Sequence, residues 1–218
     1  MSQQVAKLML FTLSACPMGR TIHTVLGEVL TVKKGIAYEI VSIDADHETT
    51  NRYRIKANPT TLFLAEDGQE LYRFEGFIET TEVLRMFKQI EEGTLRSKEI
   101  REENRESKEV YTIYLFDGEQ MVPVELVTIN LTSVKAPRIT AIQQLLRAQR
   151  DGLENPFPEN TSLERVSFQN QSGVVTLRID TKVSPKQAKR MQALLAQTLA
   201  IYGVNCSLKI KSLTDIHQ

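Results

Sequence analysis

A short apolar segment that runs directly into a cysteine–proline pair constrains the fold of this chain most. Residues 7–12, "KLMLFT", predict a buried strand. Pro17 favours the first turn of a helix, because its missing amide hydrogen would have no intrahelical partner there. Apolar residues then recur at helical spacing from Ile22 to Leu30, before Gly35 ends the pattern. We therefore expect a strand, a turn and a helix, with Cys16 at the helix N-terminus.

The rest of the first half predicts an alternating α/β arrangement. Strands are expected over 38–44, 60–65 and 69–76, and helices over 47–57 and 78–93. The acidic-glycine turn at 66–68 separates the last two strands. The predicted order is β-α-β-α-β-β-α.

A highly charged segment divides the chain. Residues 91–109 contain twelve charged residues among nineteen, which is typical of a solvated helix or a linker. The length of 218 residues allows two ordinary domains. We predict a first domain over 1–93, a charged linker over 94–109 and a second domain over 110–218.

The second half predicts another small α/β domain. It begins with a hairpin over 109–131 that turns at "DGEQ". An amphipathic helix over 137–152 and a second hairpin over 163–180 follow. A helix from the N-cap Ser184 to Gly203 and a closing strand over 205–213 complete the expected domain.

Composition excludes several classes of function. Apolar residues make up 41% of the chain and charged residues 25%, which is typical of a soluble globular protein. The 27 basic and 27 acidic residues cancel, so we expect neither nucleic acid nor an anionic membrane as partner. The three histidines are scattered, and no metal or cofactor is expected. Two cysteines form no disulfide framework and fit a reducing compartment.

One targeting signal is an alternative. "LSAC", residues 13–16, fits a bacterial lipoprotein cleavage box in which Cys16 would carry the lipid. The apolar stretch before it is short for a signal peptide, and Lys7 alone is a thin positive start. Cleavage would also remove the strand predicted over 7–12. We therefore favour a cytoplasmic protein and keep a membrane-anchored lipoprotein as the minor alternative.

The first half, about residues 5–93, resembles thioredoxin. The similar features are Cys16–Pro17 at a helix start, Asp44 after the second strand, "YRIKANPTTLFL" at 53–64 and "DGQELYRFEGF" at 67–77. The resemblance implies a cis proline at Pro59 beside the cysteine, and a groove that binds an extended peptide by strand addition. It implies Cys16 as nucleophile. The expected groove residues are Pro17, Met18, Gly19, Asn58, Pro59, Gly76 and Phe77.

The sequence also departs from thioredoxin. Gly19 stands where the second cysteine of a Cys-x-x-Cys motif would be, and Ala15 replaces the tryptophan before the first. The preceding strand holds no buried acid. A helix N-terminus, with Arg20 one turn on, would favour a thiolate at Cys16, whereas His23 is too far along the helix to act as its base. The motif is not the Cys-Gly-Phe-Ser of monothiol glutaredoxins, so no glutathione or iron–sulfur site is expected.

Three outcomes for Cys16 therefore stay open. It acts as a single thiol whose adduct is resolved by a small thiol or another protein, it holds a partner in a slow mixed disulfide, or it is a relic. Resolution by the distant Cys206, a small residue in a predicted strand, is not favoured.

The second half, about residues 110–213, resembles the GerMN domain of bacterial sporulation and germination proteins. The similar segments are "YLFDGEQMVPV" at 114–124, "AIQQLL" at 141–146, "PENTSLERV" at 158–166 and "LAIYGVNCSLKI" at 199–210. The resemblance implies a binding or assembly module. The sequence thus predicts a non-classical thioredoxin-like protein that engages protein partners. The alternative is a non-enzymatic scaffold protein with a degenerate first domain.

Overall fold

The computed structural model describes residues 4–95 and 106–212 and has a mixed α/β fold. The predicted linker, 94–109, falls mostly outside these ranges. The described chain divides into two compact units. The first unit comprises residues 1–107 with 131–135, and the second comprises 108–130 with 136–218.

The first unit contains four strands and three helices. In chain order they are β1 (Lys7–Thr12), α1 (Pro17–Val32), β2 (Ala37–Ser42), α2 (His47–Arg52), β3 (Thr60–Leu64), β4 (Glu70–Glu75) and α3 (Thr80–Glu91). The strands form one sheet in the order β2-β1-β3-β4. β1 is parallel to β2 and antiparallel to β3, and β4 is antiparallel to β3. This is a thioredoxin-like arrangement, with β1 in the interior of the sheet.

The core of the first unit explains why α1 forms. Ile22, Leu26 and Val29 lie on one face of α1 and are fully buried, as helical spacing predicts. They belong to one apolar cluster with Phe63 of β3 and Phe87 of α3. The rings of Phe63 and Phe87 meet edge to face, 5.1 Å apart. This packing holds the N-terminus of α1 at the end of β1.

The helix expected over 47–57 is shorter than the sequence suggested. α2 begins after Asp46, whose carboxylate accepts a hydrogen bond from the backbone nitrogen of Thr49. It ends at Arg52, because Arg54 has a φ of 51° and the chain leaves the helical region there. Ile55 is nevertheless fully buried, so its apolar signal comes from the core and not from the helix.

The second unit has its own elements. They are β5 (Ser107–Asp117), β6 (Gln120–Asn130), α4 (Pro137–Arg147), β7 (Ser162–Gln169), β8 (Ser172–Ile179), α5 (Pro185–Ala200) and β9 (Asn205–Ser212). β5 pairs with β6, while β7, β8 and β9 form a three-stranded sheet. α4 is shorter than the predicted 137–152. The Asn155 side chain donates to the carbonyls of Leu145 and Ala148 and satisfies the end of the helix there.

Candidate functional site

Cys16 lies at the junction of β1 and α1. It is the N-cap residue of α1, and Pro17 follows in the first turn. Its backbone nitrogen donates to the carbonyl oxygen of Leu13 over 3.0 Å, which closes the turn between strand and helix. The thiol is free, and the residue is only 8% exposed. Its side chain makes no capping hydrogen bond to the helix, but a residue at this position lies near the positive end of the helix dipole.

The side chain of Asn58 connects Cys16 to the loop before β3. Asn58 Oδ1 accepts hydrogen bonds from Leu13 N at 3.0 Å and from Thr12 Oγ1 at 3.3 Å. Because a backbone nitrogen can only donate, this pairing fixes which end of the amide faces the turn. Nδ2 then lies 3.3 Å from Cys16 Sγ and donates to it. An N–H donor aimed at the sulfur stabilises the charge of a thiolate.

Sequence reasoning anticipated Asn58 for its backbone, not for its side chain. The Asn58–Pro59 peptide bond is cis, and Pro59 is buried. In the sequence, the only indication of a role for the Asn58 side chain was its position immediately before Pro59. The contact itself depends on residues 42 positions apart and needs the fold to bring them together.

The other predicted groove residues lie at the same end of the sheet. Thr60, the first residue of β3, pairs with Phe11 of β1 and with Glu75, the last residue of β4. The loops that follow β1 and β4 and the loop that precedes β3 therefore meet at this end. Gly76 N donates to the carbonyl of Pro59 over 2.9 Å, at a φ of 76° that favours glycine. Met18 and Phe77 are about half exposed there, at 46% and 47%.

Gly19 is buried against the side chain of Thr12. A Cβ atom at position 19 would lie 1.9 Å from Thr12 Oγ1 and 2.7 Å from Thr12 Cβ. Rotating the threonine moves its Oγ1 but leaves its Cβ in place, so a rotamer change does not remove the overlap. The position of the missing second cysteine is therefore filled from the strand, and the local packing admits only glycine.

A hydroxyl and carboxylate cluster supports the turn before Cys16. Asp44 Oδ1 accepts hydrogen bonds from Ser14 N, Ser14 Oγ and Ser42 Oγ at 3.1, 2.9 and 2.8 Å. The two serine hydroxyls also lie 2.6 Å apart. Burial alone would raise the pKa of Asp44, but the hydrogen bonds from Ser42 and Ser14 outweigh it and hold the pKa below its ordinary value. Sequence reasoning noted Asp44 but missed both serines.

His23 lies further along α1 and pairs with Tyr38. The two rings stack with centroids 5.6 Å apart, and His23 Nδ1 lies 2.9 Å from the Tyr38 hydroxyl. Burial raises the pKa of Tyr38 to about 12, so the phenol stays protonated at neutral pH. The histidine thus engages β2 on the exposed surface of the helix, and it lines the same cavity as Cys16.

A cavity of about 290 Å³ opens on one side of Cys16. Its lining comes from β1, α1, β2 and the turn between β1 and α1. Apolar walls are supplied by Leu10, Leu13 and Ile40, and the basic residues Arg20 and His23 of α1 also line the cavity. Cys16 therefore borders a space large enough for a small molecule.

Cys206 occupies a different environment. It lies in β9, is partly buried, and its Sγ donates weakly to the carbonyl oxygen of Ser207 over 3.4 Å. Burial raises the pKa of its thiol to about 11, and a backbone hydrogen bond from Val175 only partly offsets this. Such a thiol stays protonated and unreactive at neutral pH.

Comparison with known proteins finds similar structures only. No protein-family model matches the chain, and no curated protein matches it. A thioredoxin-2 described as a component of the malaria parasite protein secretion machinery is 19% identical, with a TM-score of 0.36, and the match covers 41% of this chain and 85% of that one. The reduced thioredoxin pre-protein of Schistosoma mansoni is 24% identical, with a TM-score of 0.35 and coverages of 40% and 81%.

A desulfothioredoxin from Desulfovibrio vulgaris Hildenborough, also in its reduced form, is 20% identical with a TM-score of 0.35. That match covers 40% of this chain and 81% of the other. The thioredoxin-like fold of the first unit rests on its own strand order and strand–helix junction. The GerMN resemblance of residues 110–213 stays a prediction.

No helix within residues 4–95 and 106–212 combines the length and the apolar character needed to cross a membrane.

Proposed function

We propose that Cys16 is a single-thiol nucleophile that forms mixed disulfides with protein partners. The observation that carries this proposal is the hydrogen bond from Asn58 Nδ2 to Cys16 Sγ. The amide oxygen is already used by Leu13 N and Thr12 Oγ1. The amide nitrogen is directed at the sulfur, where its N–H stabilises a thiolate, and the positive end of the helix dipole lies on the same side.

The proposed reaction is one exchange step. The thiolate of Cys16 attacks one sulfur of a partner disulfide, a Cys16–partner disulfide forms, and the partner's original S–S bond breaks. The electron pair of that bond leaves on the partner's second sulfur, which takes a proton from water. Because Gly19 carries no thiol, the adduct persists until another thiol attacks it.

The proposed binding surface is the end of the sheet at Pro59. Met18 and Phe77 supply exposed apolar side chains there, and Asn58 holds the turn that carries the cysteine. An extended peptide can pair its backbone with the loop before β3 while its side chains contact the apolar groups. Partners of this kind are proteins or peptides with an accessible disulfide.

The experiment uses the full chain with Cys206→Ser, so that one thiol reports. It is incubated with a peptide dimer joined by one intermolecular disulfide, so that the released peptide thiol diffuses away, and intact mass spectrometry follows the adduct. We expect a one-to-one adduct that dithiothreitol reverses and that Cys16→Ser abolishes. The matched variant Asn58→Asp keeps the oxygen that Leu13 N needs but removes the N–H donor, and it is expected to slow the adduct about tenfold. An unreactive Cys16 in a folded protein contradicts the proposal.

The low exposure of Cys16 favours a second candidate, a non-enzymatic binding protein. At 8% exposure, the thiol is reached only after a partner fits closely or the turn moves. In this alternative the first unit offers its groove without covalent chemistry, and the second unit acts as a GerMN-like binding module. Partner binding that is equal in wild type and Cys16→Ser supports this alternative.

A further inference from the structure

The cavity beside Cys16 lies on the opposite side of β1 from the cis proline. β1 lies between β2 and β3 in the sheet. Asn58 and Pro59 immediately precede β3, whereas the cavity is lined by Ile40 and Ser42 of β2. A partner bound at Pro59 therefore leaves the β2 side of Cys16 open.

The cavity gives an outside thiol access to Cys16. Gly19 lines it together with Cys16, and Thr12 fills the space into which a residue-19 side chain would grow. The motif therefore supplies no thiol of its own, and the open space beside Cys16 is a route by which a separate thiol can reach the sulfur.

The size and the walls of the cavity indicate the ligand. Its volume of about 290 Å³ is close to the lower end of the range for small-molecule sites. Leu10 and Leu13 are buried and Ile40 is about half exposed. The polar residues Ser14, Arg20, His23 and Ser42 line the cavity as well. These walls suit a short aliphatic body that carries a polar group.

We propose that this cavity admits a small aliphatic thiol that resolves the mixed disulfide at Cys16. The proposal rests on the proposed function and assigns its missing second step. The small thiolate attacks Cys16 Sγ, a Cys16–small-thiol disulfide forms, and the partner leaves as a thiolate that takes a proton. A second small thiolate attacks the sulfur of the first, expels the Cys16 thiolate and forms a small disulfide. Two small thiols are thereby oxidised, and one partner disulfide is reduced.

The experiment measures this second step separately from partner binding. Full-chain Cys206→Ser protein is treated with dithiobis(nitrobenzoate) in the absence of any protein partner. This treatment converts Cys16 to its mixed disulfide with thionitrobenzoate. Release of thionitrobenzoate by 2-mercaptoethanol is then followed by absorbance. Ile40→Trp fills the cavity mouth at a half-exposed edge-strand position. Val32→Trp is the matched control, at a 63% exposed position at the end of α1.

We expect Ile40→Trp to slow release by 2-mercaptoethanol about tenfold, and Val32→Trp to change it by less than about twofold. Release by a cysteine-containing decapeptide, which is too large for the cavity, is expected to be equal in all three proteins. A folded Ile40→Trp protein that releases at the wild-type rate overturns the proposal.

A second variant tests the cavity from the other direction. Ile40→Ala enlarges the mouth of the cavity. It is expected to speed release of thionitrobenzoate by thioglycerol more than release by 2-mercaptoethanol. An unchanged ratio of these two rates counts against the proposal even if the tryptophan variant fails to fold. Failure of the proposed function would give a different experimental result from failure of this inference. In that case peptide disulfides do not form an adduct with Cys16, while the chemically loaded protein still responds to changes at Ile40.

Discussion

Cys16 and Cys206 are the same side chain in two contrasting settings. Cys16 caps a helix, accepts a hydrogen bond from Asn58 Nδ2 and borders a cavity. Cys206 lies within a strand, where burial raises the pKa of its thiol to about 11. Cys206 is the more exposed of the two, since it is partly buried whereas Cys16 is buried. The comparison teaches that exposure alone does not rank the two thiols, because different groups face each sulfur.

The largest expected effect is at Cys206. At about pH 8, we expect its alkylation by iodoacetamide to be about 100-fold slower in the folded chain than in the unfolded chain, because its raised pKa leaves far less thiolate. Its rate should keep rising with pH until the pH passes about 11. Peptide mapping by mass spectrometry after short exposures measures both cysteines in one sample. Equal rates for Cys206 in the folded and unfolded chain would remove the contrast.

The packing behind Cys16 is tested by two glycines of the same helix. Gly19→Ala is expected to destabilise the chain by about 2 kcal/mol, because its Cβ overlaps Thr12. Gly27→Ala, where a Cβ meets no atom within 4 Å, is expected to stabilise it by about 0.5–1 kcal/mol. Urea denaturation of both variants measures the difference. A neutral Gly19→Ala would show that β1 and α1 separate easily at the site.

The hydrogen bond from the Asn58 side chain to the Cys16 sulfur is tested by its effect on the rate of Cys16 alkylation. Asn58→Asp is expected to slow alkylation of Cys16 about tenfold, since a carboxylate donates no hydrogen bond and repels a thiolate. Alkylation of Cys206 in the same sample is the internal control. Asn58→Ala also removes the acceptor for Leu13 N and is expected to cost about 1–2 kcal/mol in unfolding free energy as well. A Cys16 rate that is equal in wild type and both variants would assign Asn58 a purely structural role.

The smallest expected effect concerns the carboxylate that supports the turn. The folded-state pKa of Asp44 is lowered, so its contribution is present above its unfolded pKa and is lost as pH falls through the folded value. Asp44→Asn is therefore expected to lose about 1 kcal/mol at neutral pH, and the difference from wild type should shrink in acid. Denaturation at a series of pH values measures this. A difference that is constant with pH would contradict the assigned cause.

Much of this fold could be predicted from the sequence. The apolar spacing from Ile22 to Val29, the proline after Cys16 and the strand at 60–64 are local signals, and local signals survive in the structure. The two misplaced helix ends have different causes. At α2, Ile55 continued the apolar pattern although the backbone had already turned at Arg54, since burial and not helix formation required it. At α4, the stop signal Gly152 lies five residues beyond Arg147, where the helix ends and Asn155 satisfies its last carbonyls.

The candidate site was predictable only in part. Cys16 and Pro59 follow from the motif and the resemblance, whereas the Asn58 amide on the sulfur and the Thr12 side chain against Gly19 do not. Both contacts join residues on different elements of the fold. Whether such residues interact depends on distances of a few ångströms, which the sequence does not give. The sequence showed that the second cysteine is missing, and the structure shows what occupies its place.

The fit of Thr12 against Gly19 also has an evolutionary consequence. A chain of this kind does not return to a two-cysteine motif by a single substitution, because a cysteine at position 19 collides with the Cβ of Thr12. Relief requires a glycine in the strand at position 12, and that change alone weakens β1 and removes a hydrogen bond to Asn58. Each change alone is expected to destabilise the chain, so a return to two cysteines takes two coordinated changes.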